Sequence, residues 1–428
     1  MRKAETRTGR VAANLLLAGV SLGVTILLAE VALHVLDHPR AEVSQNRVLA
    51  EHDTLLGWRN IPGGHATIGT DEYRVTLTYN ERGLRGDVIP YDKPSNTTRV
   101  MLVGDSFVDG YSIDLDDRVG ELLETRLREL HPGRAFQVIS LGTGGYGTDQ
   151  EALWLEHEGL RYVPDVVILL FYANDVWYNA LDRYWRGSKP RFVLEGDRLV
   201  LTNVPVPLPA QDDDAGEDLP LGYRINDFLR TRSKLFVLAT RAVQRIPALY
   251  ALAVRAGFTA PSPELAFDVP GAREEADEFS VFEKDPPPAA TEAWAVTDAL
   301  IARMDSLVRA QDARFGVFLV PHRGTIYDAD GRPRPSGTTS SGALDVEAVS
   351  RRLAETCRTT GVDCTDPRRE FLAQADSLHR YGERLYYRYD WHWNPAGHRF
   401  AAGLVARQVT DLLAADSASR SDQRASAK

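Results

Sequence analysis

The sequence predicts an α/β fold built on a parallel sheet, set behind a single membrane-crossing helix. Two observations predict the sheet. From about residue 98, short apolar runs alternate with helix-length amphipathic segments, the pattern of βαβ units. One of those runs, DVVILLFY (165–172), is almost wholly apolar, as a strand covered on both faces must be. A third observation predicts the anchor. Arg2, Lys3, Arg7 and Arg10 precede an uncharged stretch from Val11 to Ala29. Its nineteen residues, at about 1.5 Å each, reach roughly 28 Å, close to the ~30 Å hydrocarbon thickness of a bilayer.

The apolar character continues to Leu36, interrupted by Glu30 and His34, so the anchor is expected over 11–36 behind a basic tail at 1–10. The basic flank before the span and Asp37 after it place the N-terminus in the cytoplasm and the rest outside the cell membrane. A cleaved signal peptide would carry a shorter apolar region, about 7–15 residues, ending in a small-x-small site. The AEVALHVLD stretch offers no clean site of that kind. An uncleaved anchor is the expectation.

Residues 37–97 read as a lead-in with short extended pieces such as YRVTLTYNERGLRG. The core then begins over 98–180. RVMLV (99–103) is strand-like, VGELLETRLREL (119–130) has helical periodicity, and FQVISL (136–141) is a second strand. A glycine-rich turn, the helix TDQEALWLEHEGL and the third strand follow. The alternation stops over 181–289, which is expected to be an insertion. It holds a hairpin, RFVLEGDRLVLTN, and an acidic loop, QDDDAGED. A basic amphipathic stretch broken at Pro247 and a Pro-rich linker complete it. The alternation resumes over 290–414 with a helix through TEAWAVTDALIARMDSLVRAQDA and the strand RFGVFLVP (314–321). LDVEAVSRRLAETCRTTG is a further helix, VDCTD a strand, and PAGHRFAAGLVARQVTDLLAA the last helix. The small, polar residues of 415–428 are expected to be a disordered tail.

Bulk properties narrow the function classes. At 428 residues the chain buries a sizeable core, and a net charge of -10 argues against a general nucleic-acid binder. Cys357 and Cys364 are the only cysteines. Outside the cytoplasm they can close a small disulfide loop, and two separate buried thiols are the alternative. Two cysteines without neighbouring histidines do not fill a zinc shell, so no metal is expected, and the acyl transfer considered below needs no cofactor.

Gly104-Asp105-Ser106 stands at the end of the first strand and before a helix, where open α/β sheets bind ligands. A three-residue motif alone is as consistent with an ordinary capped turn. A serine nucleophile needs a base, and the base needs orienting. Asp390-Trp391-His392 supplies both types, and in an extended segment residues two apart share a side. His398 is the competing base, but it falls inside the predicted last helix. Acyl transfer also needs donors for the developing oxyanion. Gly145 and Asn174 follow the second and third strands, on the same sheet edge as Ser106.

Taken together, VMLVGDSFVDG, VISLGTGGYG, FYAND and DWHWNPAGH resemble, in order, the four blocks of the SGNH/GDSL hydrolases. The resemblance covers 98–180 and 290–412 and implies a flavodoxin-like, three-layer fold. It implies Ser106 as nucleophile, with its own N–H, Gly145 and Asn174 as the oxyanion hole. His392 would be the base and Asp390 its partner. The family's last block usually has two residues between acid and histidine, and this sequence has one. That shorter form resembles polysaccharide O-acetyltransferases and some membrane-anchored relatives, and it makes Asp390 the least secure of the assignments.

Two other motifs are coincidental. Gly19-Val20-Ser21-Leu22-Gly23 fits G-x-S-x-G but lies inside the apolar span, where no catalytic turn forms. Gly142 to Gly147 fits the dinucleotide pattern G-x-G-x-x-G, with Asp175 as its later acid. It sits in the second βα unit, however, and the domain faces away from NAD pools. The expected function is hydrolysis of an ester, an O-acyl or O-acetyl group on an envelope glycan or lipid, through an acyl-serine. The alternatives are a polysaccharide O-acetyltransferase and a non-catalytic glycan-binding protein whose Tyr184 and Trp185 contact sugar.

Overall fold

The computed structural model describes residues 2–35, 49–70, 72–184, 186–208, 221–244, 246–258, 263–268, 277–334 and 344–426. Trp185, the QDDDAGED loop and the end of the expected anchor, Leu36, lie outside them. Contacts divide the chain into two units. One comprises Met1–Val43, Gly69–Asp71 and Pro220–Thr259, and the other the remainder. The segment read as an insertion is therefore shared, with its central part grouping with the N-terminal helix.

The larger unit is built on a five-stranded parallel sheet. Its strands are β1 (Thr97–Gly104), β2 (Ala135–Gly142), β3 (Val166–Phe171), β4 (Arg314–Leu319) and β5 (Asp363–Thr365). Their order is β5-β4-β3-β1-β2. Register runs Thr97 opposite Ala135 to Gly104 opposite Gly142, and Val100 opposite Val166 to Gly104 opposite Leu170. The central strands thus end together.

Alternation along β1 builds both cores. Val100 and Leu102 pack with Leu123 and Leu127 of helix Val119–Leu130 and with Val405 and Val409 of helix Pro395–Ser426. Met101 and Val103 face Leu153 and Leu155 of helix Thr148–His157 and Leu300 and Met304 of helix Pro288–Arg309. Each such fully buried aliphatic side chain contributes about 1.5–3 kcal/mol. A sheet covered by helices on both faces is the three-layer α/β architecture the alternation predicts.

The expected hairpin forms from Arg191–Glu195 and Arg198–Thr202, with Gly196 turning at φ 63°. Cys357 and Cys364 are bonded to each other, tying the end of helix Ala348–Thr360 to β5. The last helix is drawn from Pro395 to Ser426, through most of the segment expected to be a tail. No proline or glycine follows Gly403, and the Ala-rich sequence beyond it propagates a helix already nucleated against the core.

In the smaller unit, helix Arg2–Val35 contains the apolar run Ala13–Val35, long and apolar enough to cross a membrane. The basic stretch forms helices Leu221–Arg232, Lys234–Gln244 and Pro247–Arg255. Glu30, the one acidic residue of the apolar run, has a defined structural task. Its carboxylate accepts hydrogen bonds from the Lys234 and Leu235 N–H groups, at 2.7 and 3.0 Å, and from Ser233 Oγ at 2.8 Å. It caps the first turn of the second helix, satisfying donors that have no intrahelical partner.

Candidate active site

Strand β1 delivers its last residues into a tight turn. A Cβ on Gly104 would lie 2.6 Å from Val108 Cγ2, and one on Gly142 only 2.2 Å from the Asp109 N. Glycine at both strand ends lets the short helix Ser106–Asp109 sit directly on the sheet edge. Asp105 caps that helix by accepting the Phe107 N–H at 2.9 Å. Ser106 is thereby held at the helix start, near its positive end.

His392 reaches this serine from 286 residues away, with Nε2 2.7 Å from Ser106 Oγ. Its Nδ1 lies 2.5 Å from Asp390 Oδ1. With Nδ1–H donated to that carboxylate, Nε2 is free to accept the Ser106 hydroxyl. Asp105 Oδ2 is a weaker alternative acceptor for the same hydroxyl, at 3.4 Å. The Asp390-Trp391-His392 segment is a bend, not the extended piece expected from sequence. The His392 N–H folds back onto Asp390 Oδ1 at 3.0 Å, an Asx-type turn that brings acid and imidazole into contact across one intervening residue.

Charge balance within the cluster is lopsided. Burial alone would lower the His392 pKa, but Asp390 outweighs it and raises the ring above its ordinary 6.5. Burial alone would also raise the Asp390 carboxyl, and the facing His392 charge and hydrogen bonds instead hold it well below the usual carboxylate range. Asp105, fully enclosed, is pushed up to about 6 by burial.

Several residues around this cluster carry no signal in the sequence. Asp390 Oδ2 accepts from Tyr73 at 2.9 Å and from Tyr111 at 3.0 Å. Glu72 takes the backbone N–H groups of Arg388, Tyr389 and Asp390, the last two at 2.8 and 2.9 Å. Arg323 holds the other side of the loop, donating to the Arg388 and Asp390 carbonyls at 2.8 and 3.0 Å. Glu72 and Tyr73 belong to the lead-in, which the sequence left without a role. Glu72→Ala is expected to lower kcat about 10–100-fold with little change in KM, because small misplacements of reacting groups carry penalties of that size. Glu72→Gln, which keeps one acceptor oxygen, should lose less. Steady-state kinetics of the two variants with equal melting temperatures would check this, and wild-type kcat in Glu72→Ala would refute it.

Gly145, at φ 81°, follows β2, and Asn174 opens helix Ala173–Asn179 after β3. Both line one cavity with Ser106 and His392, about 170 Å³ in volume. The structure therefore brings together all five residues singled out from the sequence. Tyr172, Tyr178, Tyr184, Phe282, His322, Glu278 and Trp391 complete much of its wall.

The rejected candidates have other places. His398 is buried, its Nδ1 accepts the Val119 N–H at 3.2 Å, and burial holds its pKa down to about 3. It caps the helix that starts at Val119. In the glycine-rich turn the Gly142 and Gly144 carbonyls are occupied by Asn60 Nδ2 and Trp58 Nε1, each at 3.2 Å. Asp175 is fully buried and accepts its own turn's Tyr172 N–H at 3.0 Å. Among the described residues, no group of three or more His, Cys, Asp or Glu side chains is placed to hold a metal ion.

Residues 102–400 match the family model of the GDSL-like lipase/acylhydrolases. No curated protein matches the chain. Among solved structures, the acetyl xylan esterase AlAXEase is similar at 14% identity, over 71% of this chain and 96% of its own, with a TM-score of 0.33. A catalytic mutant of an acetylxylan esterase from Geobacillus stearothermophilus is 11% identical over 73% of this chain and 94% of its own, with a TM-score of 0.35. The lipase/acylhydrolase from Enterococcus faecalis is 12% identical over 73% and 95%, with a TM-score of 0.33. With about 70% of its length, residues 102–400 of 428, matched by the family model, this chain belongs to the GDSL-like lipase/acylhydrolase family and is an ester-hydrolysing enzyme.

Proposed function

We propose that the protein is a membrane-anchored serine esterase, working outside the cytoplasm on an O-acyl ester borne by an envelope glycan or lipid. The observation that carries this reading is the 2.7 Å contact between His392 Nε2 and Ser106 Oγ. His392 takes the hydroxyl proton as Ser106 Oγ attacks the ester carbonyl. The tetrahedral oxyanion is met by the Ser106 and Gly145 N–H groups and the Asn174 side-chain amide. His392 then gives its proton to the leaving alkoxide, and an acyl-serine remains. Water, deprotonated by the same ring, hydrolyses it. Asp390 keeps the ring in the required tautomer throughout and stabilises its charged form.

Orientation rests on two supports. Arg2, Lys3, Arg7 and Arg10 lie before the apolar run, the arrangement the positive-inside rule assigns to the cytoplasm. The Cys357–Cys364 bond suits an oxidising compartment. The exposed Phe228, Ile246, Leu249 and Leu252, in the unit that holds the anchor, suit a position at the bilayer surface.

The test is covalent labelling of the detergent-solubilised full chain by a fluorophosphonate, with the adduct located by peptide mass spectrometry. One adduct, on Ser106, together with release of acetate from p-nitrophenyl acetate, is the expected result. Active protein labelled elsewhere, or unlabelled, overturns the assignment. With an oligosaccharide added as acceptor, an acetylated oligosaccharide in place of free acetate would make it a transferase.

A further inference from the structure

Two polar side chains in the wall of the Ser106 cavity take no part in the reaction above. His322 follows β4 and is almost fully buried, its ring set among Tyr172, Phe267, Phe279 and Phe282 at centroid distances of 5.3–5.6 Å. Its Nδ1 accepts the Gly324 N–H at 3.2 Å, so a neutral ring carries its proton on Nε2. Burial, with Arg323 and Arg334 close by, holds its pKa down to about 3, and the ring stays neutral at every working pH. No acceptor among the described residues meets Nε2, which leaves it a donor for whatever fills the cavity that His322 lines.

Glu278 lines the same cavity and supplies the opposite polarity. One of its oxygens accepts from Tyr178 at 2.9 Å, and Tyr178 is paired in turn with Tyr184. Burial raises its carboxyl to about 6, so it remains largely ionised at neutral pH. An ionised carboxylate has about four acceptor sites, and the tyrosine takes one.

We propose that His322 and Glu278 form a hydroxyl-binding subsite that selects sugar esters over lipid esters, with Tyr178 and Tyr184 as its aromatic wall. This rests on the serine esterase reading and narrows its substrate. Sugar hydroxyls both donate and accept, so the hydroxyls of one ring can answer Glu278 and His322. An alkyl chain answers neither and leaves buried polar groups unpaired, which disfavours it. Size agrees. A cavity near 170 Å³ is of the order that holds one benzene-sized ring, about the bulk of a single pyranose.

The experiment compares mono-O-acetylated methyl pyranosides of gluco, galacto and manno configuration with cyclohexylmethyl acetate. The last is an ester of similar size without hydroxyls. Acetate release by the full chain in detergent is expected to favour at least one sugar ester by 10²-fold or more in kcat/KM, the scale on which sites built for a hydroxyl reject its absence. Glu278→Gln and His322→Phe should each erode that preference at least tenfold. Fluorophosphonate labelling of Ser106 shows whether each variant keeps a formed site, and for one that does not, the wild-type preference decides. Wild-type turnover of p-nitrophenyl acetate with no preference for any sugar ester, or variants that slow every ester equally, would overturn the subsite while leaving the esterase. Absence of turnover on all substrates would overturn the esterase reading itself.

Discussion

Ser106→Ala is expected to lower kcat for p-nitrophenyl acetate by about 10⁴–10⁶-fold, the range found when a serine nucleophile is removed from a preorganised site. The substitution deletes one oxygen whose partners are His392 Nε2 at 2.7 Å and, more loosely, Asp105 Oδ2 at 3.4 Å. Neither contact holds the fold together. The helix from Ser106 is capped by Asp105, not by the serine side chain, and its end is fixed by Gly110 in the left-handed region at φ 63°. The melting temperature should therefore stay within a few degrees of wild type while turnover collapses. KM is expected to change little, since the hydroxyl contributes to bond making more than to ground-state binding. A variant that keeps more than about a tenth of wild-type kcat would remove Ser106 from the reaction and the mechanism with it.

How much of this was legible beforehand follows from the range of the interactions involved. β1, β3 and β4 announce themselves because a strand buried on both faces must be apolar along its length, and the helices between them show their own period. Ser106, Gly145 and Asn174 are legible as a group because each follows a strand, and parallel strands end on one edge. Asp390 and His392 offered the right residue types at a usable spacing, and the resemblance to known blocks strengthened the reading, since nothing local says that a bend near the last helix returns to β1. Glu72, Tyr73 and Arg323 were beyond reach for a plainer reason. Each acts on the loop carrying Asp390 from a distant point in the chain, 317 residues away for Tyr73 and 67 for Arg323. Their sequence neighbourhoods are an ordinary strand start and an ordinary turn. His322 and Glu278 were hidden in the same way, one just beyond a strand and the other inside the stretch read as an insertion.

The substitution that separates the roles of Asp390 is a pair, Asp390→Ala and Asp390→Asn. Alanine removes both the charge and the acceptor, and kcat should fall about 10⁴-fold, as for loss of the acid in other triads. Asparagine should fall less, about 10²–10³-fold, for a reason specific to this loop. Such a change usually does its damage by turning the imidazole to the wrong tautomer. Here Oδ1 already accepts the His392 backbone N–H at 3.0 Å, and Oδ2 faces the hydroxyls of Tyr73 and Tyr111. An asparagine would keep its carbonyl on the N–H side, where the ring Nδ1–H still finds an acceptor, and turn its amide to tyrosine oxygens able to accept. What it loses is the charge. The pH profile reads that loss directly. His392 must be neutral to take the Ser106 proton, and Asp390 holds its pKa above 6.5, so wild-type kcat/KM should rise with pH through a limb lying above 6.5. Without the carboxylate, burial pulls the ring the other way, and the limb should move to lower pH in both variants. Asp105 provides the sharpest counter-outcome. Were it the functional partner of the base, both substitutions at 390 would leave kcat within about tenfold and the limb in place, and Asp105→Asn would move it instead.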